Sequence, residues 1–383
     1  MSPMIPFNRP GLAGDELSYI EQAVASGHTS CGGPFSKRAS EILRSECGAV
    51  DVLLTTSCTD ALEMSAMLLG IGPGDVVVVP SFTFTSTALA YARAGASLRF
   101  CDIDPVSLCL DPADVESVMD ERVKAIVTVH YAGNPSDVDS LGALARSAGA
   151  ELIEDNAHGL YGRRRGRPLG SFGRMSTLSF HETKNFICGE GGALVLNDER
   201  DVDAAHILLD KGTNRRQFLD GLVDKYSWQG LGSSFGMSDI LAAFLTAQLE
   251  RADSIRARRR RVSERYRELL EPSADELGIG LPPEPPESEP ADHMFYVLLP
   301  RGLRSEVLSS MRSDGVQATF HYVPLHSSDA GRRFVDVDRE CPVTDDVSGR
   351  LIRLPFFNDL TEGEIERSAE ALIRALTRAA SRA

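Results

Sequence analysis

A lysine follows an apolar run at Ser179-Phe180-His181-Glu182-Thr183-Lys184-Asn185, and a glycine cluster, Gly189-Glu190-Gly191-Gly192, comes shortly after it. The chain has five lysines among its 40 lysines and arginines, so nearly all its basic charge is arginine. Lysine can lose its proton when desolvated, and arginine effectively cannot. A lysine in a turn after an apolar strand, bracketed by Ser, His and glycines, is therefore expected to be a reactive amine. Its chemistry would be imine formation with a carbonyl.

Three other groups stand just after apolar runs. Thr55-Thr56-Ser57-Cys58-Thr59-Asp60 opens a helix-compatible segment. The free N–H groups and dipole of a helix start can hold a phosphate; alternatively, Ser57 or Thr59 caps its own helix. Pro80-Ser81-Phe82-Thr83-Phe84 offers an aromatic that could cover a flat heteroaromatic ring or simply join the core. Glu154-Asp155-Asn156-Ala157-His158-Gly159 puts two adjacent acids after an apolar strand, which is costly unless they have partners. Asp155 could hold a protonated pyridinium nitrogen, or accept hydrogen bonds from loop amides. Cradle, ring cover, pyridinium partner and imine-forming lysine, in chain order, are the parts of a pyridoxal phosphate site.

The elements that must position these groups follow a rhythm. Short apolar runs occur at 52–55, 76–79, 98–101, 125–129, 151–154, 176–180 and 193–196. Most are apolar on both faces, as in a sheet covered by helices on each side. Segments 62–69, 85–94, 112–119 and 140–148 are helix-compatible and separate the first five runs, which predicts an α/β layer fold. The last two runs lie close together across 189–192, as in a hairpin-like connection. In such sheets ligands gather beyond the carboxyl ends of the strands. Helices are also expected at 15–25 and 35–47, and one long helical stretch at 237–270. The run 256–261 holds five arginines and is expected to be the wet face of a connecting helix. The proline-rich stretch 282–290 reads as a surface loop. Strands at 294–299 and 316–322 and helices at 305–313 and 362–379 predict a second, smaller unit.

The net charge of −15 argues against a general nucleic-acid binder. The seven cysteines form no C-x-x-C pair and are expected as free thiols in a reducing cytoplasm. No basic segment followed by an apolar run opens the chain, and no stretch of roughly 18 apolar residues could span a membrane. His321 and His326 have no acid or cysteine at metal-binding spacing, so no metal is expected.

These residues resemble the aspartate-aminotransferase-like (fold type I) pyridoxal phosphate enzymes and, more narrowly, the DegT/StrS sugar-nucleotide aminotransferases. The resemblance covers nearly the whole chain, from Ile5-Pro6-Phe7-Asn8 through Thr56–Met64, 80–84, His130-Tyr131-Ala132-Gly133 and 154–159 to the lysine motif. It continues through Lys211-Gly212-Thr213-Asn214-Arg215, Gly232-Ser233-Ser234-Phe235 and 320–326. The combination of Phe-His-Glu-Thr-Lys-Asn, Lys-Gly-Thr-Asn-Arg and Gly-Ser-Ser is similar to the branch that aminates C4 of dTDP-4-dehydro-6-deoxyglucose.

The resemblance implies a large domain at 1–250, including an N-terminal arm and a mostly parallel seven-stranded sheet, and a smaller C-terminal α/β domain at 251–383. It implies that Lys184 bonds the cofactor aldehyde, Asp155 pairs with the ring nitrogen and Phe84 stacks on the ring. His158 would stand near the phenolic oxygen, and Cys58, Thr59 and Ser179 would hold the phosphate. Ser234 stands where many relatives place an asparagine that reaches the phosphate across a dimer interface. Thr29, Asn185, Asn214 and His321 are the candidate substrate contacts. The implied partners are a dTDP-sugar, glutamate as amino donor and a second copy of the chain, with the active site at the interface. Two rivals share the scaffold. A sugar-nucleotide dehydratase would typically carry histidine at position 184. The other is a non-catalytic binding or regulatory protein that kept the fold, against which the intact lysine–aspartate–aromatic set argues.

Overall fold

All seven apolar runs become strands of one sheet: β1 (Asp51–Thr55), β2 (Val76–Pro80), β3 (Ser97–Cys101), β4 (Val123–Val129), β5 (Glu151–Asp155), β6 (Met175–Ser179) and β7 (Gly192–Leu196). The structure, a computed structural model, describes residues 3–381, so the expected chain limits at 1 and 383 lie outside the described residues. The strand order is β1-β7-β6-β5-β4-β2-β3. Only β7 runs against its neighbours, pairing antiparallel with both β1 and β6. The carboxyl ends of the other six strands therefore share one edge.

The period-two pattern explains why both faces are covered. Val77 and Val79 pack with Leu62, Ala88 and Tyr91 of helices Cys58–Leu68 and Thr85–Ala94 on one side. Val76 and Val78 pack with Leu141 and Ala145 of helix Val138–Ala148 on the other. At the β1–β7 end that second face is covered by helices Pro34–Cys47 and Asp239–Glu250.

A second core lies in the C-terminal part. It is built on an antiparallel sheet of β8 (Tyr296–Leu298), β9 (Thr319–Phe320) and β10 (Leu351–Arg353), with β10 in the middle. Helices Ala252–Leu270, Arg304–Ser313 and Glu362–Ala380 cover it. Ile5 is buried in this same core, and its backbone pairs with Gly315 and Gln317. Among the described residues no helix is long and apolar enough to cross a membrane.

Four expectations are corrected. The stretch 237–270 is two helices, Asp239–Glu250 and Ala252–Leu270, because Arg251 leaves the helical region at φ −105°, ψ 19°. The first helix packs on the large sheet's flank, whereas the second turns to serve the C-terminal core. The proline-rich loop contains a short ladder, since Ser288 and Glu289 keep their backbone N–H groups and pair with Arg164 and Arg163. The strand expected at 316–322 shrinks to Thr319–Phe320, because Val316 pairs instead with Ile5.

The arginine run is not uniformly wet either. Arg259 is 3 % exposed and donates to the carbonyls of Asp292 and His293 and to Asn358 Oδ1. Its guanidinium lies against the Phe356 ring. Arg259→Ala should leave these acceptors unpaired and lower unfolding stability by roughly 2–4 kcal/mol, read by denaturant unfolding. A loss below about 0.5 kcal/mol, the size of a surface substitution, would contradict the buried role.

Candidate active site

The shared edge of strand ends opens on a cavity of about 640 Å³. Strand β6 ends at Ser179, and Phe180 is fully buried, which anchors the turn that follows. In that turn Lys184 N donates to His181 O at 2.9 Å and Glu182 N to Gly189 O at 3.0 Å. The turn aims the Lys184 side chain into the cavity. Burial lowers its pKa from 10.5 to about 8, with the charge of Arg353 acting in the same direction and Asp155 opposing. The neighbouring Cys58 thiol is pushed up to about 12 by burial, so it stays protonated at neutral pH and gives Lys184 no counter-charge.

Asp155 ends β5, the central strand of the sheet, and enters the same cavity. Thr87 Oγ1 donates to its Oδ2 at 2.7 Å, and Ala157 N to its Oδ1 at 3.2 Å. Burial raises its pKa, against the pull of Thr87 and Lys184. No guanidinium or ammonium lies within ion-pair distance of it among the described residues, so this buried carboxylate is short of a cation.

At the end of β2 the two phenylalanines part. Phe82 is buried at 1 % exposure, whereas Phe84 is 60 % exposed and lines the cavity beside Tyr322. His158 is buried, stacks on His293 at 4.1 Å between centroids, and its Nδ1 has no partner. Burial holds its pKa well below the usual imidazole range, so it is neutral.

After β1, both readings of the hydroxyl cluster hold at different atoms. Ser57 Oγ accepts from Asp60 N at 3.0 Å and caps helix Cys58–Leu68. Cys58 and Thr59 are first in the helix, so their N–H groups have no intrahelical acceptor, and both residues line the cavity with Ser179. Gly192, the first residue of β7, lies so close that a Cβ there would collide with the Ser57–Cys58 peptide. The glycine cluster thus keeps room for this helix start. Gly192→Ala should displace the turn and weaken phosphate-ligand affinity at least about tenfold in an absorbance titration. Unchanged affinity would contradict that.

The model of the DegT/DnrJ/EryC1/StrS aminotransferase family matches residues 11–373. The chain belongs to this family.

Solved structures agree with that membership. The aminotransferase TlmJ from Streptoalloteichus hindustanus is 29% identical, with a TM-score of 0.90 over 99% of this chain and 100% of its own. DesV of S. venezuelae, solved with a ketimine intermediate, is 30% identical, with a TM-score of 0.89 over 98% and 99%. Spr1654 from Streptococcus pneumoniae, solved in its PMP form, is 23% identical and shares the fold, with a TM-score of 0.90 over 99% of each chain. The cofactor of this DegT/DnrJ/EryC1/StrS aminotransferase is pyridoxal 5'-phosphate. The site fits it. A buried carboxylate lacks a cation, a buried imidazole nitrogen lacks a partner, a helix start offers free N–H groups, and an exposed ring lines the same cavity.

Cys58, Thr59, Phe84, Asp155, His158, Ser179, Lys184 and His321 all line the one cavity. Four other candidates do not. Asn185 is buried with both ends of its amide engaged, Nδ2 on Ala291 O and Oδ1 on His293 Nδ1, each at 2.7 Å. Thr29 is exposed, with its carbonyl accepting from Asp239 N. Asn214 Oδ1 accepts from Ser227 N at 2.8 Å, and Ser234 is exposed beside Asp210. His326 is spent on Ser81, at 2.7 Å.

Sequence reasoning missed Thr87, His293, Tyr322 and Arg353. Arg353 left a signal, as a charge inside the apolar run Leu351-Ile352-Arg353-Leu354. Thr87 and His293 left none, because their partners Asp155 and Asn185 lie 68 and 108 positions away.

Proposed function

We propose that the chain transfers an amino group from glutamate to C4 of a dTDP-4-dehydro-6-deoxyhexose, giving a dTDP-4-amino-4,6-dideoxyhexose. The observation that carries aminotransfer is the meeting of a desolvated Lys184 and a buried Asp155 in one cavity. The C4 acceptor is supported by the Phe-His-Glu-Thr-Lys-Asn, Lys-Gly-Thr-Asn-Arg and Gly-Ser-Ser motifs. His181 and Thr183 of the first motif line the same cavity.

Bound pyridoxal phosphate supplies an aldehyde and a ring that withdraws electrons. The chain's residues do the rest. Cys58, Thr59 and Ser179 would hold the phosphate, with Phe84 over the ring and His158 beside its phenolic oxygen. Asp155, its two oxygens fixed by Thr87 and Ala157, would accept the ring N–H and keep it charged. Lys184 would bond the aldehyde, yield to the donor amine and then move a proton as a free amine. With a pKa of about 8, roughly a tenth of Lys184 is neutral at pH 7, against about 0.04% of an ordinary lysine.

A second copy of the chain belongs to the proposal. Phe218, Leu219, Leu222, Trp228 and Leu231 form an exposed apolar segment, which supports a homodimer. Asn214 and Ser234 flank that segment, and a dimer would offer them to the partner's cavity. The proposal keeps a cofactor-binding domain at 1–250 and a smaller one at 251–383. It also keeps a cytoplasmic location, supported by seven free thiols.

The test is NMR of the product formed from dTDP-4-dehydro-6-deoxyglucose and glutamate. A new proton signal on an amine-bearing C4 is expected. Unreacted keto-sugar, with glutamate still consumed in a half-reaction, would overturn the acceptor and leave aminotransfer standing.

A further inference from the structure

His158 lines the cavity with no hydrogen bond to hold its ring. Among the described residues no side-chain hydrogen bond reaches it, and its Nδ1 is buried without a partner. The torsion that turns an imidazole about its bond to Cβ has only broad preferences, so neighbours must set the plane of the ring. Two rings do so. Tyr131 meets His158 edge-on, with 6.0 Å between centroids and 67° between planes. His293 lies flat against it, at 4.1 Å and 14°. Turning the His158 ring would drive its edge into the His293 face. Burial holds both imidazoles well below their usual range, so two neutral rings stack without charge repulsion.

His293 itself is held at every polar atom but one. Its backbone N donates to Ala132 O at 3.3 Å, and its carbonyl accepts from Arg259 Nη2 at 2.6 Å. Asn185 cannot turn its amide round, because Nδ2 is engaged by Ala291 O; its Oδ1 is the acceptor at the other end. His293 Nδ1 therefore carries the ring proton and Nε2 is bare. The flanking backbone is pinned as well. Ala291 N donates to Gly133 O at 3.1 Å, and Arg259 Nε to Asp292 O at 2.9 Å. Gly133 has no room for a Cβ, which would stand 2.9 Å from Ala291 Cβ and 3.0 Å from the His158 carbonyl. Asp292 sits at φ 47°, a left-handed conformation that persists in such a residue only where its surroundings over-determine it. The lysine turn, the end of β4 and helix Ala252–Leu270 thus converge on one imidazole that has no chemical task in the proposed reaction.

We propose that His293 is a positioning residue: its ring, clamped by Asn185, is the platform that sets the plane of His158 toward the cofactor's phenolic oxygen. A group that must meet a ligand needs such support, since its own rotamer has to be locked by packing and by hydrogen bonds one layer out. Asn185 follows Lys184 in the chain, so the same turn places the reactive amine and the platform. The proposal rests on the placement of His158 beside that oxygen, but not on the identity of the sugar.

The test is a double-mutant cycle on the full chain, read by the affinity of apo-protein for pyridoxal phosphate in an absorbance titration. His293→Leu fills the space without a flat face and should weaken affinity about tenfold, the lower end for loss of an outer-layer support. His293→Phe restores a flat ring and should recover most of that loss. In a His158→Gln background, His293→Leu should cost less than about twofold more, because the residue it acts through is gone; independent sites would add in full. Nitrogen NMR of histidine-labelled apo-protein gives a second readout, with the His158 signals identified by their absence from His158→Gln. They should move or broaden in His293→Leu and return toward the native position in His293→Phe. Asn185→Ala releases the clamp and should move the same signals; it decides the matter if His293→Leu does not fold. Equal losses in His293→Leu and His293→Phe would overturn the proposal. So would a full tenfold loss in the His158→Gln background, or His158 signals that neither His293→Leu nor Asn185→Ala moves. Unchanged affinity in His158→Gln alone would remove the placement of His158 and this proposal with it, a result distinct from the others.

Discussion

Lys184→Ala is expected to abolish turnover, with kcat reduced by at least about 10⁴-fold, the upper range for loss of a positioned acid–base group. The size follows from the absence of a substitute. Among the cavity's other side chains, Cys58 is protonated at neutral pH and Arg353 is a guanidinium, so neither can act as a nucleophilic amine. The variant should still bind pyridoxal phosphate, because the Cys58–Thr59 helix start, Ser179 and Asp155 remain. Its absorbance should be that of the free aldehyde.

The native protein carries a pH signature of the same residue. Lysine attacks only when neutral, and burial has lowered the folded-state pKa to about 8. The rate of cofactor uptake by apo-protein should therefore climb as pH rises through about 8 and level off above it. An ordinary lysine would keep accelerating toward pH 10. A Lys184→Ala protein that transaminates at the native rate, or an uptake profile still rising past pH 10, would remove Lys184 from its role.

Asp155→Asn should lower the rate of the glutamate half-reaction by on the order of 10²–10³-fold, the loss typical of one preorganised electrostatic partner. The asparagine keeps the shape and can still meet Thr87, so folding is expected to survive. What it lacks is negative charge. Burial already strains the ionised form of Asp155, whose pKa is raised, and a bound pyridinium N–H⁺ is the cation that the cavity otherwise withholds. With a neutral amide there, the ring nitrogen has no reason to stay protonated and the donor carbon's proton becomes harder to remove. Single-turnover absorbance with glutamate measures this directly. A native rate in Asp155→Asn would show that the carboxylate is structural only.

Much of the cofactor half of the site was legible in the chain. Lys184, Asp155, Phe84, Ser179 and the Cys58–Thr59 turn each follow an apolar run, and parallel strands bring run ends to one edge. The substrate half was not legible in the same way. Asn185 looked like a substrate contact because it adjoins Lys184, yet in the turn the two side chains part, Lys184 lining the cavity and Asn185 buried away from it. Its amide is used inside the protein to hold His293 and Ala291.

The arginine run 256–261 misled for a related reason. A charge run reads as a solvated face, but one of its members, Arg259, points to buried carbonyls supplied by residues more than 30 positions away.

By itself, then, the sequence determined the sheet, the edge where the strand ends gather and the lysine that stands there. Those features are local: a strand needs a short apolar run, and a strand end needs only to stop. Tertiary structure alone decided that β7 runs antiparallel and presses Gly192 against the Ser57–Cys58 turn. It also decided that an arm residue, Phe7, and a C-terminal strand residue, Arg353, meet at the cavity that holds Lys184. Long-range packing creates those meetings, and the free energy of burying an unpaired charge gives no local pattern by which its partners can be read.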